Sequence, residues 1–220
     1  MSEYDRNFWE QRWSQALRAH GGRVAQRPPN GHLTAEIGDL RPGRALDAGC
    51  GHGSDTLWLA ARGWRVTAVD FAATALAYAR STAEAMGPDV AERIDWVEAD
   101  LAAWTPQRDA YDLVICLYVH VAGSVEEMVQ RMATGVARGG TLFLVGHRPI
   151  DPATGAATAA AGQLQVSVEA ALAALDPGQW QPIVAEERPW PTARTGVDAV
   201  IRVRRRSSTM AGRESRSGPA

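Results

Sequence analysis

The sequence predicts a doubly wound α/β fold, a mostly parallel sheet with helices on both faces, and two observations carry that prediction. Strand-like segments recur at 44–48, 65–69, 93–98, 111–117 and 140–146, and helix-like stretches at 54–62, 72–86 and 124–137 lie among them. Alternation of this kind with short turns is the rhythm of parallel strands joined by crossover helices. The second observation is a glycine-rich turn, Gly49-Cys-Gly-His-Gly53, where the first strand passes into a helix near Ser54. Two further strand candidates, at 180–187 and 197–204, bring the expected sheet to seven strands.

The remaining elements follow from periodicity and punctuation. In segment 4–20 the residues Phe8, Trp9, Trp13 and Leu17 recur at three- and four-residue spacing, as an amphipathic helix requires. A polar connector rich in Gly, Arg, Pro and Asn is expected at 21–31, then a short helix at 33–40 and a turn at Arg41-Pro-Gly43. After Pro149 the pattern loosens into an Ala/Gly/Thr segment before a helix near 166–174. Residues 205–220 hold Arg, Ser and Gly with almost nothing apolar to bury, so a disordered tail is expected there. The division that results is one domain over 1–204, whose first 40 residues are an N-terminal helical portion.

Composition narrows the function. A chain of 220 residues suits a single domain with a sizeable core. With 23 basic and 25 acidic side chains the net charge is −2, and the basic footprint of a nucleic-acid binder is missing. A small-molecule partner is therefore expected, with no nucleic acid and no membrane, in a monomer or homodimer. Every basic residue other than histidine is Arg, which excludes the lysine of a phosphate-binding P-loop and a Schiff-base lysine. Cys50 and Cys116 are too far apart to suggest a zinc cluster or a disulfide framework, so no metal is expected and the compartment reads as reducing. No apolar run approaches the roughly 20 residues of a membrane span, and the first residues are polar and acidic. The expected location is cytoplasmic.

Candidate site residues gather at the expected strand ends. Alternate glycines at 49, 51 and 53 let the backbone reverse sharply and let a ligand approach, while the following helix offers unpaired N–H groups. The spacing is Gly-x-Gly-x-Gly rather than the Gly-x-Gly-x-x-Gly of pyrophosphate-binding dehydrogenases. Asp70 ends the second strand, where a carboxylate can accept both hydroxyl protons of a ribose, or can simply cap a helix. Asp100 ends the third, where it can meet an adenine amino group or cap the turn that follows. His120 follows the fourth strand and His147 ends the fifth, at the edge where a substrate would meet a cofactor. A histidine there can take a proton from an attacking N–H, O–H or S–H, and His120 is the preferred catalytic candidate. His52 reads as an exposed loop residue, and His20 and His32 carry no argument.

Residues 44–146 resemble the class I S-adenosylmethionine-dependent methyltransferases. The motifs are Leu46-Asp-Ala-Gly-Cys-Gly-His-Gly53, Val66-Thr-Ala-Val-Asp-Phe71, Val97-Glu-Ala-Asp-Leu101, Tyr111-Asp-Leu-Val-Ile-Cys116 and Gly139-Gly-Thr-Leu-Phe-Leu-Val145. The resemblance implies a Rossmann-like fold and S-adenosyl-L-methionine as cofactor, with S-adenosyl-L-homocysteine as product. It implies that Gly49, Gly51 and Gly53 line the methionine moiety, that Asp70 holds the ribose and that Phe71 and Leu101 sandwich the adenine. Asp100 would meet the adenine amino group, the backbone near Cys116 would face the methionine ammonium, and Asp47 would support the loop. Phe8-Trp-Glu-Gln-Arg-Trp13, Gly63-Trp-Arg-Val-Thr67 and Val145-Gly-His147 are further similar to bacterial thiopurine- and tellurite-type methyltransferases. In those enzymes an aromatic N-terminal helix closes over the cofactor, which implies a lid role for Trp9 and Trp13; core packing is the alternative reading of that pair.

The activity these readings imply is methyl transfer to a nucleophilic S, N or O atom of a small molecule. The rivals are a protein that binds the cofactor without turning it over and, with the wrong glycine spacing and no Lys, an NAD(P)-dependent oxidoreductase. A nucleic-acid methyltransferase is supported only by the Arg-rich tail. Specificity would reside in the N-terminal helix, the 118–124 loop and segment 148–166.

Overall fold

A computed structural model of the chain describes residues 6–25, 27–120, 123–151, 154–157, 165–189 and 196–207. Among them, β1 (Arg44–Ala48), β2 (Arg65–Asp70), β3 (Ile94–Glu98), β4 (Tyr111–Leu117), β5 (Val136–His147), β6 (Trp180–Pro189) and β7 (Val197–Arg205) form one sheet. Its order is β3-β2-β1-β4-β5-β7-β6. The pairs from β3 through β5 are parallel; β7 runs antiparallel to β5, and β6 antiparallel to β7. This is the expected Rossmann-like, seven-stranded, mostly parallel sheet with an antiparallel edge.

Strands buried on both faces must be apolar in both registers, and β4 and β5 are. Leu113, Ile115, Phe143 and Val145 pack on one face against Leu33 and Ile37 of α2 (Gly31–Ile37), Leu57 and Leu59 of α3 (Ser54–Ala61) and Leu76 of α4 (Ala73–Met86). Their neighbours Val114, Cys116, Leu142 and Leu144 face the other way. They meet Met128, Val129 and Met132 of α6 (Val125–Thr134) and Ala171 of α7 (Val168–Ala173). Helices thus cover both faces. A long helix, α1 (Arg6–Ala25), and a single turn, α5 (Pro88–Ala91), complete the set.

Three of the boundary differences from expectation have a clear physical cause. α1 runs to Ala25, through Gly21 and Gly22, where a connector from residue 21 was expected. Two glycines cost about 1 kcal/mol each in a helix interior but do not stop it, whereas Pro28 disfavours helical backbone at Arg27. α6 ends at Thr134 rather than near 137, because Val136 is drawn into β5, fully buried and paired with Tyr111 of β4. Tertiary pairing overrides the local helical pattern there. At the C-terminus β7 includes Arg205, whose guanidinium bonds Asp109 and the Val136 carbonyl, and the Arg206 N–H donates to Gln179 O at 2.7 Å. The ordered backbone therefore passes the expected limit at 204; the rest of the proposed tail, 208–220, lies outside the described residues.

The strand order positions the site. From β1 the chain moves outward through β2 to β3, then crosses back to place β4 on the other side of β1. The loops leaving β1 and β4 consequently turn away from each other, and a crevice opens between them at the carboxyl ends of the strands. Further along, Gly146 lets the segment 165–166 lie directly on β5: a Cβ there would stand 2.5 Å from Val166 O and 3.0 Å from its N. Because backbone must move to admit it, Gly146→Ala should lower unfolding free energy by about 1–3 kcal/mol in urea titration. Wild-type stability would show that segment 165–166 is not held against the strand.

Candidate functional site

The turn after β1 is built around positive backbone angles, with φ of 84° at Gly49, 52° at Gly51 and 83° at Gly53. The N–H groups of Gly49 and Cys50 donate to Val69 O, at 2.8 and 3.0 Å, so the turn folds back over the end of β2. Asp70 secures it from below: Oδ2 accepts the Gly51 N–H and Oδ1 the Ala72 N–H, both at 2.8 Å. One carboxylate thus orients both the glycine turn and the start of α4.

Burial and neighbouring charge govern the carboxyls beneath the turn. Asp47, buried in β1, accepts a hydrogen bond from Thr56 Oγ1 at 2.5 Å and is pushed up to about 8 by burial and by the nearby Asp55. Burial also raises Asp55, to about 6, and Asp70. Asp47 therefore braces the turn against α3, the supporting role expected of it. His52 is half-buried and neutral, lowered to about 4 by burial and by Arg27, and its ring lies 5.2 Å from that of Trp13. It is not the exposed loop residue expected, because α1 covers it. Among the described residues its Nε2 is buried with no hydrogen-bond partner.

α1 lies across the crevice. Glu10 accepts from both the backbone N–H and the hydroxyl of Thr74, at 3.0 and 2.9 Å, and so caps the first turn of α4 from another helix. Arg6 pairs with Glu98 at 2.6 Å and stands 6.0 Å over the Phe71 ring. Trp13 covers Gly51, where a Cβ would come within 2.8 Å of Cζ2; a Cβ at Gly49 would meet Val119 at 2.5 Å. Trp9 packs 5.3 Å from the His120 ring. The structure thus brings Trp9, Trp13, Gly49, Gly51, Gly53, Asp70, Phe71 and His120 to one crevice. Leu101 is buried beside them, with Cδ1 3.7 Å from the Cβ position of Gly49. Two candidates act otherwise at the level of their side chains. Asp100 is exposed and caps its turn through Oδ1 to the Ala102 N–H at 2.8 Å. Cys116 points into the core with Sγ 3.7 Å from Met128 Sδ, its thiol pushed up to about 12 by burial, so any contact there is through backbone.

The carboxyl ends of β4 and β5 and the amino end of β7 hold a polar cluster that sequence reasoning largely missed. Asp198, 2% exposed, faces His147 directly across the β5–β7 pair and accepts from its Nδ1 at 2.8 Å. Its other oxygen accepts from Tyr118 OH at 2.8 Å and His32 Nε2 at 3.1 Å. Tyr118 has φ +54°, an uncommon angle for a side-chain-bearing residue, and its ring stacks on His147 at 4.1 Å. Burial and Asp198 together raise the Tyr118 phenol. Gln165, buried, accepts the His147 N–H at 2.6 Å and reaches His120 Nε2 at 3.0 Å. The signal for Asp198 was a lone acid in the apolar run Val197-Asp-Ala-Val-Ile201. For His32, Tyr118 and Gln165 the sequence held no such signal.

These residues fit S-adenosylmethionine. The turn presents backbone without side chains, and Asp70 can accept from vicinal hydroxyls. Burial, and then the nearby carboxyls, hold Asp47 protonated near neutral pH, so the negative field that favours a cationic ligand comes from Asp55 and Asp70. Residues 45–140 match the family model described as a methyltransferase domain. The rat (Rattus norvegicus) glycine N-methyltransferase is 32% identical over 122 residues, 49% of this chain and 41% of that enzyme, so the match spans about two fifths of its length. The Burkholderia thailandensis 1,6-didemethyltoxoflavin-N1-methyltransferase, solved with 1,6-didemethyltoxoflavin and S-adenosylhomocysteine, superposes with a TM-score of 0.61 at 20% identity, covering 94% of this chain and 93% of that one. The [4+2]-cyclase SpnF superposes with a TM-score of 0.67 at 14% identity, over 91% of this chain and 97% of its own. Residues 45–140 are thus similar to a methyltransferase domain, and the chain shares the fold of these solved structures.

The raised Asp47 has a measurable consequence. A carboxyl held above its ordinary 3.8 stabilises the fold fully below that value, and the contribution is lost as pH rises toward about 8. Melting temperature should therefore fall between pH 5 and 8, and Asp47→Asn, which cannot ionise, should fall less steeply. Equal slopes in the two proteins would place the buried proton elsewhere.

Proposed function

We propose that this chain is an S-adenosylmethionine-dependent methyltransferase that methylates a nucleophilic S, N or O atom of a small molecule. The observation that carries the reading is Asp70, ending β2 directly beneath a glycine turn at the switch point of the sheet. When bound, the cofactor supplies a methyl group already activated on a sulfonium.

The chain's own residues then hold and enclose. Asp70 takes the ribose hydroxyls, Gly49, Gly51 and Gly53 give the methionine moiety close backbone approach, and the backbone near Cys116 meets its ammonium. Phe71 and Leu101 flank the adenine, and Asp100 meets its amino group through Oδ2, since Oδ1 caps Ala102. Trp9, Trp13 and Val119 cover the turn and exclude water, and the Glu10–Thr74 contact keeps α1 in place. The catalytic task is positioning, which alone supplies several kcal/mol to a bimolecular transfer. The aromatic α1 over the turn supports a kinship with thiopurine- and tellurite-type enzymes, in a cytoplasmic protein whose residues 1–40 are the lid of a single domain ending near 204. No helix among the described residues is long and apolar enough to cross a membrane.

Two measurements test this. Asp70→Ala should weaken S-adenosylmethionine binding at least tenfold in calorimetric titration while circular dichroism stays native, since charge-assisted hydrogen bonds contribute about 1.5–3 kcal/mol each. Wild-type affinity in the folded variant would overturn the ribose role. Incubation of the wild type with the cofactor and a panel of thiols, heterocyclic amines and phenols should release S-adenosylhomocysteine with at least one class. Binding without release would leave a cofactor-binding protein that does not turn over.

A further inference from the structure

We propose that the edge of the sheet opposite the glycine turn holds a second binding site, an arginine-lined cavity for a small anion that carries two or more linked phosphoryl groups. The inference goes beyond the methyltransferase reading and does not depend on it.

The ends of three strands build the site. β7 runs out in Arg202-Val-Arg-Arg-Arg206, and alternation along the strand gives Arg202 and Arg204 to one face. Arg202 meets Glu36 of α2 at 4.0 Å. Farther along, Arg204 stands directly opposite Gln181 of β6, Arg206 follows just past the strand end, and Arg138 reaches the same place from the start of β5. These side chains line a cavity of about 510 Å³ at the amino ends of β5 and β6 and the carboxyl end of β7. Along β7 the seven residues from Asp198 to Arg205 span about 23 Å, at about 3.3 Å each, so the cavity is remote from the crevice.

Charge gives the cavity its character. Four arginines line it and no carboxylate does. The Arg205 guanidinium is committed to Asp109 and the Val136 carbonyl, and Arg204 Nε donates to Gly139 O at 3.2 Å. Arg138, Arg204 and Arg206 have no carboxylate within ion-pair distance among the described residues. Two acids at this edge are already engaged. Asp109 is bonded by Arg205, and Arg108 and Arg138 add to the pull that holds its carboxyl below the usual range. Asp176 accepts the Gly178 N–H and Gln179 Nε2, at 2.8 and 2.9 Å. In a chain of net charge −2 this is a local surplus of positive charge, which an anion neutralises.

The donors select the anion. A guanidinium presents paired N–H groups to two oxygens of one phosphate or carboxylate, so three guanidiniums around one cavity suit an anion with more than one such group. Linked phosphoryl groups carry that charge in little volume, whereas polycarboxylates need carbon spacers, for which the cavity offers no apolar side chain. Gln181 and Ser207 add neutral donors. No aromatic ring lines the walls, so the bases of a nucleic acid have nothing to stack on, and the volume is that of a small-ligand site.

Calorimetric titration of the whole chain tests the site. Tripolyphosphate should bind once per chain, at least tenfold tighter than inorganic phosphate or citrate, and more weakly as salt is added. Adenosine triphosphate separates two sources of the same chemistry: equal affinity makes the phosphate chain alone the ligand, and tighter binding makes it a nucleotide whose base extends beyond the cavity. Arg138→Gln combined with Arg206→Gln should weaken both ligands at least tenfold, and Arg204→Gln should act in the same direction. All three side chains are exposed, so circular dichroism and S-adenosylmethionine affinity should stay those of the wild type. No binding of tripolyphosphate, citrate bound as tightly, affinity unchanged in the double variant, or a single-stranded oligonucleotide bound more tightly than tripolyphosphate would each overturn the assignment.

Discussion

The carboxylate of Asp70 is the contact on which the glycine-turn edge of the sheet depends. By accepting the N–H groups of Gly51 and Ala72 it couples the turn after β1 to the start of α4. Everything above inherits that coupling. Trp13 rests on Gly51, and Glu10 caps Thr74 two residues beyond Ala72, so α1 is seated on the two segments that Asp70 joins. Ion pairing adds little to the seating: Arg6 and Glu98 are both half exposed, and such pairs contribute about 0–1 kcal/mol. Backbone hydrogen bonds and apolar contact hold α1 in place.

A different constraint operates on the far side of the crevice. Asp198 is a buried carboxylate in an apolar strand, and a buried charge is tolerated only when donors replace the water it has lost. Those donors come from α2, the residue after β4, and the end of β5, which are remote in sequence. Satisfying one charge therefore fixes the orientation of Tyr118, His32 and His147 together. It also gives a reason for the uncommon backbone angle at Tyr118, which carries the phenol onto Asp198 and the ring onto His147. Strain of this kind, about 1–3 kcal/mol, persists where surrounding contacts over-determine it.

The two halves are chemically distinct: one is a glycine turn over crowded carboxyls, the other a cluster of histidine, tyrosine and glutamine side chains around a buried aspartate. That the same architecture supports a methyltransferase and a [4+2]-cyclase shows why the chemistry must be argued from such side chains rather than from the fold.

What the sequence by itself determined is whatever depends on local pattern. Alternating strand and helix periods, the glycine turn and the acid ending β2 were all legible, because each rests on neighbours a few residues apart. The boundaries that moved, at Ala25, Thr134 and Arg205, are those where distant contacts outvote local preference: Val136 becomes a strand residue only by pairing with Tyr111. Tertiary structure alone decided the pocket opposite the glycine turn. His147 and Asp198 are 51 residues apart, and His32 and Asp198 166 apart, and only the antiparallel register of β5 with β7 and the docking of α2 make them neighbours. Which side chains close on a buried aspartate is settled by strand register and helix docking, and no local pattern in a chain encodes those partners.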